Sequence, residues 1–134
     1  MKNKLVGKIN RITVFSVMLV GFAMQALAIP QIAGCKPEDF IQGSENNEIR
    51  MEGKAYTPKC LKIKVGGNVS IQASEKHPLS AMPDVDAKKN PFAGGSFTSS
   101  QVRKMNEAGI YGYFCDVHGD NEGDGMAGAI LVEQ

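Results

Sequence analysis

The sequence has few histidines and cysteines and no excess of charge of either sign. Its 134 residues include two histidines and three cysteines, and 15 basic side chains nearly balance 14 acidic ones. No run of like charge, internal repeat or low-complexity stretch occurs along the chain. A nucleic-acid-binding domain usually has a strongly basic surface, so we expect no nucleic-acid partner.

Long stretches with helical periodicity are also absent, whereas several short runs alternate apolar and polar residues. Apolar and polar residues alternate in Leu61–Val65 and in Val69–Ala73, on either side of a glycine-rich turn. This pattern predicts a hairpin or two strands joined across a sandwich. Residues 74–96, with three prolines, predict a long irregular excursion. Short strands separated by turn signals predict an all-β, Greek-key sandwich. The other predicted strands are Glu48–Met51, Phe97–Val102, Tyr111–Phe114 and Ala127–Val132.

The first 28 residues have the features of a signal peptide. Four basic residues up to Arg11 precede an apolar stretch, Ile12 to Ala23, that is shorter than a membrane span. Ala26-Leu27-Ala28 has the small residues that signal peptidase prefers, so we predict cleavage after Ala28. An uncleaved anchor is the alternative.

The mature part predicted by this cleavage, residues 29–134, has the length of one compact domain. It has 11 basic and 14 acidic side chains, a formal charge of about −3. We expect a periplasmic monomer without a membrane span.

The C-terminal quarter of the chain concentrates metal-binding side chains. Cys115 and His118 follow a predicted strand, Met126 precedes the last one, and His77 lies upstream after another strand. One thiolate, two imidazoles and a distant thioether are the ligands of a blue-copper centre, trigonal with a weak axial bond. The sequence therefore predicts one Cu(II)/Cu(I) site formed by His77, Cys115, His118 and Met126.

The two remaining cysteines are available to each other if Cys115 binds a metal. In an oxidising compartment we predict a disulfide between Cys35 and Cys60, closing a loop of about 25 residues and contributing about 3 kcal/mol. Two alternatives stay open. The cysteines are free thiols, or Cys35 carries a lipid anchor, because Ile32-Ala33-Gly34-Cys35 is similar to a lipobox.

The motif Tyr113-Phe114-Cys115-Asp116-Val117-His118, followed by Gly125-Met126-Ala127-Gly128, resembles the small blue copper proteins of the plastocyanin, pseudoazurin and amicyanin group, within the cupredoxins. The resemblance covers roughly Tyr56 to Val132. It implies an eight-stranded Greek-key sandwich, copper bound by the same four residues, and one-electron shuttling between exported redox partners.

Two features depart from that group. Seven residues separate His118 from Met126, against four in plastocyanin-like loops. Pro78 follows His77, where plastocyanin-like proteins commonly have an asparagine that helps to hold the cysteine loop. Support for Cys115 must therefore come from elsewhere in this chain.

The predicted function is outer-sphere electron transfer, with His118 as the port to solvent. We expect an apolar docking patch around it, formed by Leu79, Met82, Pro83 and Met126. Acidic residues on the 116–124 loop suggest a redox partner with a basic face, or simply keep the loop soluble.

Three other functions fit the sequence less well. A copper carrier would use the same ligands, but the methionines of the mature part are scattered rather than clustered. A copper enzyme would need a further centre with several more histidines than the two present, so we expect no enzyme activity. A structural zinc site would need another cysteine or histidine in place of Met126.

Overall fold

The computed structural model describes residues 28–83 and 86–134. These residues form strands and two short 3₁₀ helices, Pro37–Asp39 and Ala87–Lys89. The predicted leader lies outside the described residues except for Ala28. In chain order the strands are β1 (Ile41–Gln42), β2 (Asn46–Glu52), β3 (Ala55–Thr57), β4 (Cys60–Lys64), β5 (Asn68–Ile71), β6 (Leu79–Ala81), β7 (Gln101–Lys104), β8 (Gly109–Gly119) and β9 (Gly125–Glu133).

The strands form two sheets that pack face to face. One sheet has the order β1-β4-β9-β8-β6, and the other has the order β3-β2-β5-β7. Pairing is mixed, since β4 runs parallel to β9 and β2 runs parallel to β5, while β8 and β9 are antiparallel. The prediction of an all-β sandwich is confirmed. The described part has nine strands, one more than the resemblance implies, and β1 has only two residues.

The core lies between the sheets and follows from the alternation in the sequence. In β4 and β5, the apolar residues Ile63, Val69 and Ile71 are fully buried, while Lys64 points to solvent. Alternate residues of a strand face opposite sides of a sheet, so this pattern buries one face of each strand. Other fully buried members of the core are Ile49, Leu79, Met105, Tyr113, Cys115, Met126 and Ile130.

Of the two alternatives for Leu61–Val65 and Val69–Ala73, the structure confirms two strands joined across the sandwich, because β4 and β5 belong to different sheets. Two other strand predictions need correction. β7 begins at Gln101 rather than at Phe97. The predicted irregular excursion contains a strand, β6, which has three residues and is too short to show a period in the sequence.

The N-terminal turn, residues 32–35, is attached to the sandwich by a disulfide. Cys35 and Cys60 are bonded, with Cα atoms 5.8 Å apart, which confirms the predicted bridge. A sulfur in a disulfide cannot also carry a lipid through a thioether. Among residues 28–83 and 86–134, no helix is long and apolar enough to cross a bilayer.

Two buried tyrosines contact each other between the sheets, but only one has a hydrogen-bonded hydroxyl. The rings of Tyr56 and Tyr113 meet edge to face at 5.0 Å. The Tyr113 hydroxyl donates to the carbonyl of Lys59 at 3.3 Å. The buried Tyr56 hydroxyl has no hydrogen-bond partner among the described residues. Burial raises the pKa of Tyr56, and the nearby Cys115 and Asp116 raise it further.

Replacing each tyrosine by phenylalanine separates these two situations. An unpaired buried hydroxyl costs about 1–3 kcal/mol, whereas a paired one contributes about 1 kcal/mol. We expect Tyr56→Phe to raise the free energy of unfolding by about 1 kcal/mol and Tyr113→Phe to lower it by a similar amount. Urea titrations of both variants measure this, and equal destabilisation by both would show that the Tyr56 hydroxyl has a partner in solution.

Candidate metal centre

The pairing of β8 with β9 is interrupted where the predicted ligands lie. Phe114 pairs with Ala127 and Gly119 pairs with Gly125, with a register shift between these two points. Between them β8 has four residues, 115–118, while β9 has one, Met126. Extra residues in one strand of an antiparallel pair form a bulge, and bulges often re-aim side chains beside functional sites.

The bulge brings Cys115 and His118 to the same space. Residues three apart on a regular strand point to opposite faces, yet Cys115 Sγ lies 3.9 Å from His118 Nδ1. The sulfur also lies 3.9 Å from Nδ1 of His77. The two imidazole rings have centroids 4.7 Å apart and are tilted by 31°.

His77 is held by a tight turn before β6. Its backbone amide donates to the carbonyl of Ser74 at 3.0 Å, and the Ser74 amide donates back to the His77 carbonyl at 3.1 Å. Two residues later, Leu79 pairs with Cys115 in the β6–β8 ladder. The turn therefore ends beside the strand that contains the cysteine.

These three side chains have the composition and spacing of a metal site. Their ligand atoms all lie within 4.8 Å of one another, and within the described ranges they are the one group of His, Cys, Asp and Glu side chains with this property. With bonds of about 2.3 Å to sulfur and about 2.0 Å to nitrogen, ligand atoms about 120° apart are separated by about 3.7 Å, and those about 109° apart by about 3.5 Å. The observed 3.9 Å is close to both values, so one metal ion could be bound by the sulfur and both imidazoles.

The surroundings favour the metal-binding form of His118. Cys115 is fully buried, and the two histidines are half-buried. Desolvation lowers the pKa of His118, and the nearby His77 and Lys54 lower it further. A lower pKa leaves more of the neutral imidazole, which is the form that binds a metal.

Met126 is fully buried and lies in the same core cluster as Cys115. It is the single residue of β9 opposite the bulge. The structure therefore brings its backbone beside the Cys115–His118 segment, on the strand that crosses the base of the loop.

Glycines allow the seven-residue loop between His118 and Met126, the ligand loop, to close. Gly123 has φ +95° and Gly125 has φ +68°, both in the left-handed region that favours glycine. A Cβ on Gly123 would lie 2.7 Å from Cα of Ala33, in the N-terminal turn that the disulfide holds. Gly123 is buried although its loop neighbours are exposed, so this loop is docked on the N-terminal turn.

The predicted apolar docking patch is wrong. Leu79 and Met126 are fully buried and Met82 is 5% exposed, which leaves only Pro83 at the surface. The large apolar side chain exposed beside the site is Val117, which is 61% exposed. Single apolar residues in short segments carry no periodicity, so the sequence alone could not distinguish core from surface here.

The structure adds contacts that the sequence did not reveal. Lys54, in the turn between β2 and β3, lies near enough to His118 to affect its pKa. Ser80 and Ser96 both hydrogen-bond the carboxylate of Asp116. In each of these contacts the two partners are 20 or more positions apart in the chain, so no local pattern signals the contact.

Alanine at Gly123 tests whether the N-terminal turn supports the ligand loop. Gly66 is a matched control, because its φ of +92° is similar but nothing lies within 4 Å of a Cβ there. Backbone strain alone costs about 1–2 kcal/mol. We expect Gly66→Ala to lower the free energy of unfolding by this amount and Gly123→Ala to lower it by at least a further 1 kcal/mol, roughly the penalty of overpacking. Urea titration measures both, and equal losses would contradict docking of the loop on Ala33.

No protein-family model and no curated protein sequence matches the chain. Among solved structures, it is similar to a Cu-containing nitrite reductase from Thermus scotoductus SA-01, at 18% identity over 72% of this chain with a TM-score of 0.55. The chain spans only 28% of the length of that reductase. It also matches a pseudoazurin from Hyphomicrobium denitrificans at 18% identity, over 66% of this chain and 76% of that one, with a TM-score of 0.49. A purple cupredoxin from Nitrosopumilus maritimus matches at 20% identity, over 65% of this chain and 99% of that one, with a TM-score of 0.46. Together with the two-sheet architecture, the first of these similarities identifies the fold of this chain as that of the cupredoxins.

Proposed function

We propose that this protein binds one copper ion through His77, Cys115 and His118, with Met126 as the axial ligand, and shuttles single electrons between protein partners. The observation that carries the proposal is the cluster of one sulfur and two imidazole nitrogens whose ligand atoms lie within 4.8 Å of one another. Copper bound there supplies a Cu(II)/Cu(I) couple.

The donor set favours copper over zinc. Structural zinc takes four cysteine, histidine or carboxylate ligands in a tetrahedron, and in the described residues the cluster contains only three such side chains. The sulfur on the paired strand β9 belongs to Met126, and a thioether is a soft ligand suited to copper.

The side chains divide the tasks of an electron carrier between them. Cys115 is inaccessible to solvent, which protects its sulfur from oxidation and keeps water away from the site. His118 is half-buried beside the exposed Val117, so its imidazole edge offers the route by which an electron leaves. The turns that hold His77 and the bulge that holds His118 keep the ligands near one position in both oxidation states.

Electron transfer is favoured over copper transport and over enzyme activity. Copper carriers often use clusters of methionine or histidine. In this sequence at least 20 residues separate each of the four methionines of the mature part from the next, at Met51, Met82, Met105 and Met126. An oxidase or reductase would require a second copper centre with several further histidines, and the chain has two in total. We therefore propose an electron carrier without enzyme activity of its own.

The partner and the location follow from charge and from the N-terminus. Exposed acidic residues adjoin the site at Asp116, Asp120, Glu122 and Asp124. Lys54 is the basic residue whose charge affects His118. We propose an exported monomer, cleaved after Ala28 and located in the periplasm, whose partners present a basic face to the acidic loop.

Copper binding by the full chain, expressed in a bacterium and purified, tests this proposal. We expect a one-to-one complex with an intense visible absorption band from the copper–thiolate bond, which Cys115→Ser abolishes. His77→Ala should weaken copper binding by about 10-fold or more. The intact mass of the purified protein determines whether cleavage follows Ala28.

Met126 is tested by leucine substitution with a matched control. Met105 is also fully buried, but its backbone bonds to Gly67 rather than to the ligand loop. We expect Met126→Leu to keep the visible band and shift the reduction potential, and Met105→Leu to leave the potential unchanged. A colourless complex selective for Cu(I) would indicate a copper carrier instead, and absence of copper binding would end the proposal.

A further inference from the structure

The two segments that contain His77 and Cys115 lie side by side and are tied at the backbone. Leu79 pairs with Cys115, and the amide of Asp116 donates to the carbonyl of Pro78 at 3.0 Å. On its other side, Leu79 exchanges two backbone hydrogen bonds of 2.8 Å with Phe97. Three chain segments therefore meet next to the metal centre.

One carboxylate connects all three segments. Oδ2 of Asp116 accepts a hydrogen bond of 3.0 Å from the hydroxyl of Ser80, which lies in β6. The same oxygen accepts a hydrogen bond from the hydroxyl of Ser96, in the segment that precedes Phe97. Asp116 is the chain neighbour of Cys115, and Ser80 is the neighbour of Leu79, which pairs with Cys115.

The sequence around His77 explains why the link starts from the cysteine strand. The residue after His77 is Pro78, which has no side-chain donor and no backbone N–H. Pro78 therefore cannot donate a hydrogen bond to the segment that contains the cysteine. Asp116 reverses the direction, because it accepts from two serines and donates its own amide to the proline carbonyl.

We propose that Asp116 is a positioning residue, which holds the Cys115 strand and the His77 segment at the separation the metal requires and whose negative charge lowers the reduction potential of the bound metal. The inference rests on the proposed function, since it concerns the same site. Asp116 touches neither ligand atom directly and acts through Ser80, Ser96 and the backbone.

The carboxylate of Asp116 faces solvent, but its charge lies next to the metal centre. Asp116 is the direct chain neighbour of Cys115, and its amide bonds to the carbonyl of Pro78 beside His77. The interaction of a negative charge with a metal ion grows as the distance between them falls. Such a charge favours the more positive oxidation state, so its removal should make the potential more positive.

Three variants of the full chain separate hydrogen bonding from charge. Asp116→Asn removes the charge but keeps an amide oxygen that accepts from both serines. The double variant Ser80→Ala/Ser96→Ala keeps the charge and removes both donors. Asp116→Ala removes both contributions. For each variant we measure copper affinity by chelator competition, the visible spectrum and the reduction potential.

If Asp116 positions the ligands, Asp116→Ala and the double serine variant should lose about 10- to 100-fold in copper affinity and show altered visible spectra. Asp116→Asn should keep the affinity and spectrum of the parent protein and have a more positive potential. Parent-like affinity and spectra in both Asp116→Ala and the double serine variant would overturn the positioning role. A potential unchanged in Asp116→Asn would overturn the role of the charge.

Hydrogen exchange of the metal-free proteins gives a readout that does not depend on copper. The backbone amide of residue 116 bonds to the carbonyl of Pro78 in the parent protein. It should exchange faster in Asp116→Ala and in the double serine variant than in the parent. The Ala129 amide, bonded to Lys59 at 2.9 Å, is the internal control and should not change. If the parent protein binds no copper, the proposed function fails and the exchange of the Asp116 amide alone decides whether the link between the segments exists.

Discussion

The interrupted ladder between β8 and β9 is the constraint on which the site depends. The pairs Phe114–Ala127 and Gly119–Gly125 fix two points along the strands, and four residues of one strand must fit opposite one residue of the other. The surplus chain cannot continue the alternation that would send Cys115 and His118 to opposite faces of the sheet. It bulges instead, and both side chains reach the space into which the His77 turn also projects its imidazole.

The long loop that follows the bulge is supported from outside the ligand region. Oδ1 of Asp120 accepts the amides of Glu122 and Asp124 at 3.0 Å, which shapes the tip of the loop. Gly123 then packs on Ala33, whose turn is attached to β4 by the Cys35–Cys60 bridge. The disulfide therefore stabilises more than the N-terminus, because the turn it holds is the surface on which the ligand loop rests.

The fold class and three clustered side chains could be predicted because they depend on local pattern and residue chemistry. Alternation in residues 61–65 predicted a strand, and the scarcity of histidine made His77 and His118 the obvious partners of Cys115. β6 could not be predicted, since three residues show no period. The prediction of the docking patch was wrong because burial of Leu79 and Met82 depends on segments brought over them by the fold. The contacts of Asp116 could not be predicted for the same reason, since its partners lie 20 and 36 residues away.

Each proposed ligand is restrained by a different part of the fold, and this bears on what the site can do. A backbone turn holds His77, the β6–β8 ladder holds Cys115, the bulge holds His118, and the beginning of β9 holds Met126. The donor atoms of the first three lie within 4.8 Å of one another. In a site arranged in this way the ligands would move little when a bound metal gained or lost an electron, as the proposed electron transfer requires. A carrier that must surrender its metal benefits from ligands that separate easily, whereas separating Cys115 from the His77 segment would require breaking the pairing of β6 with β8.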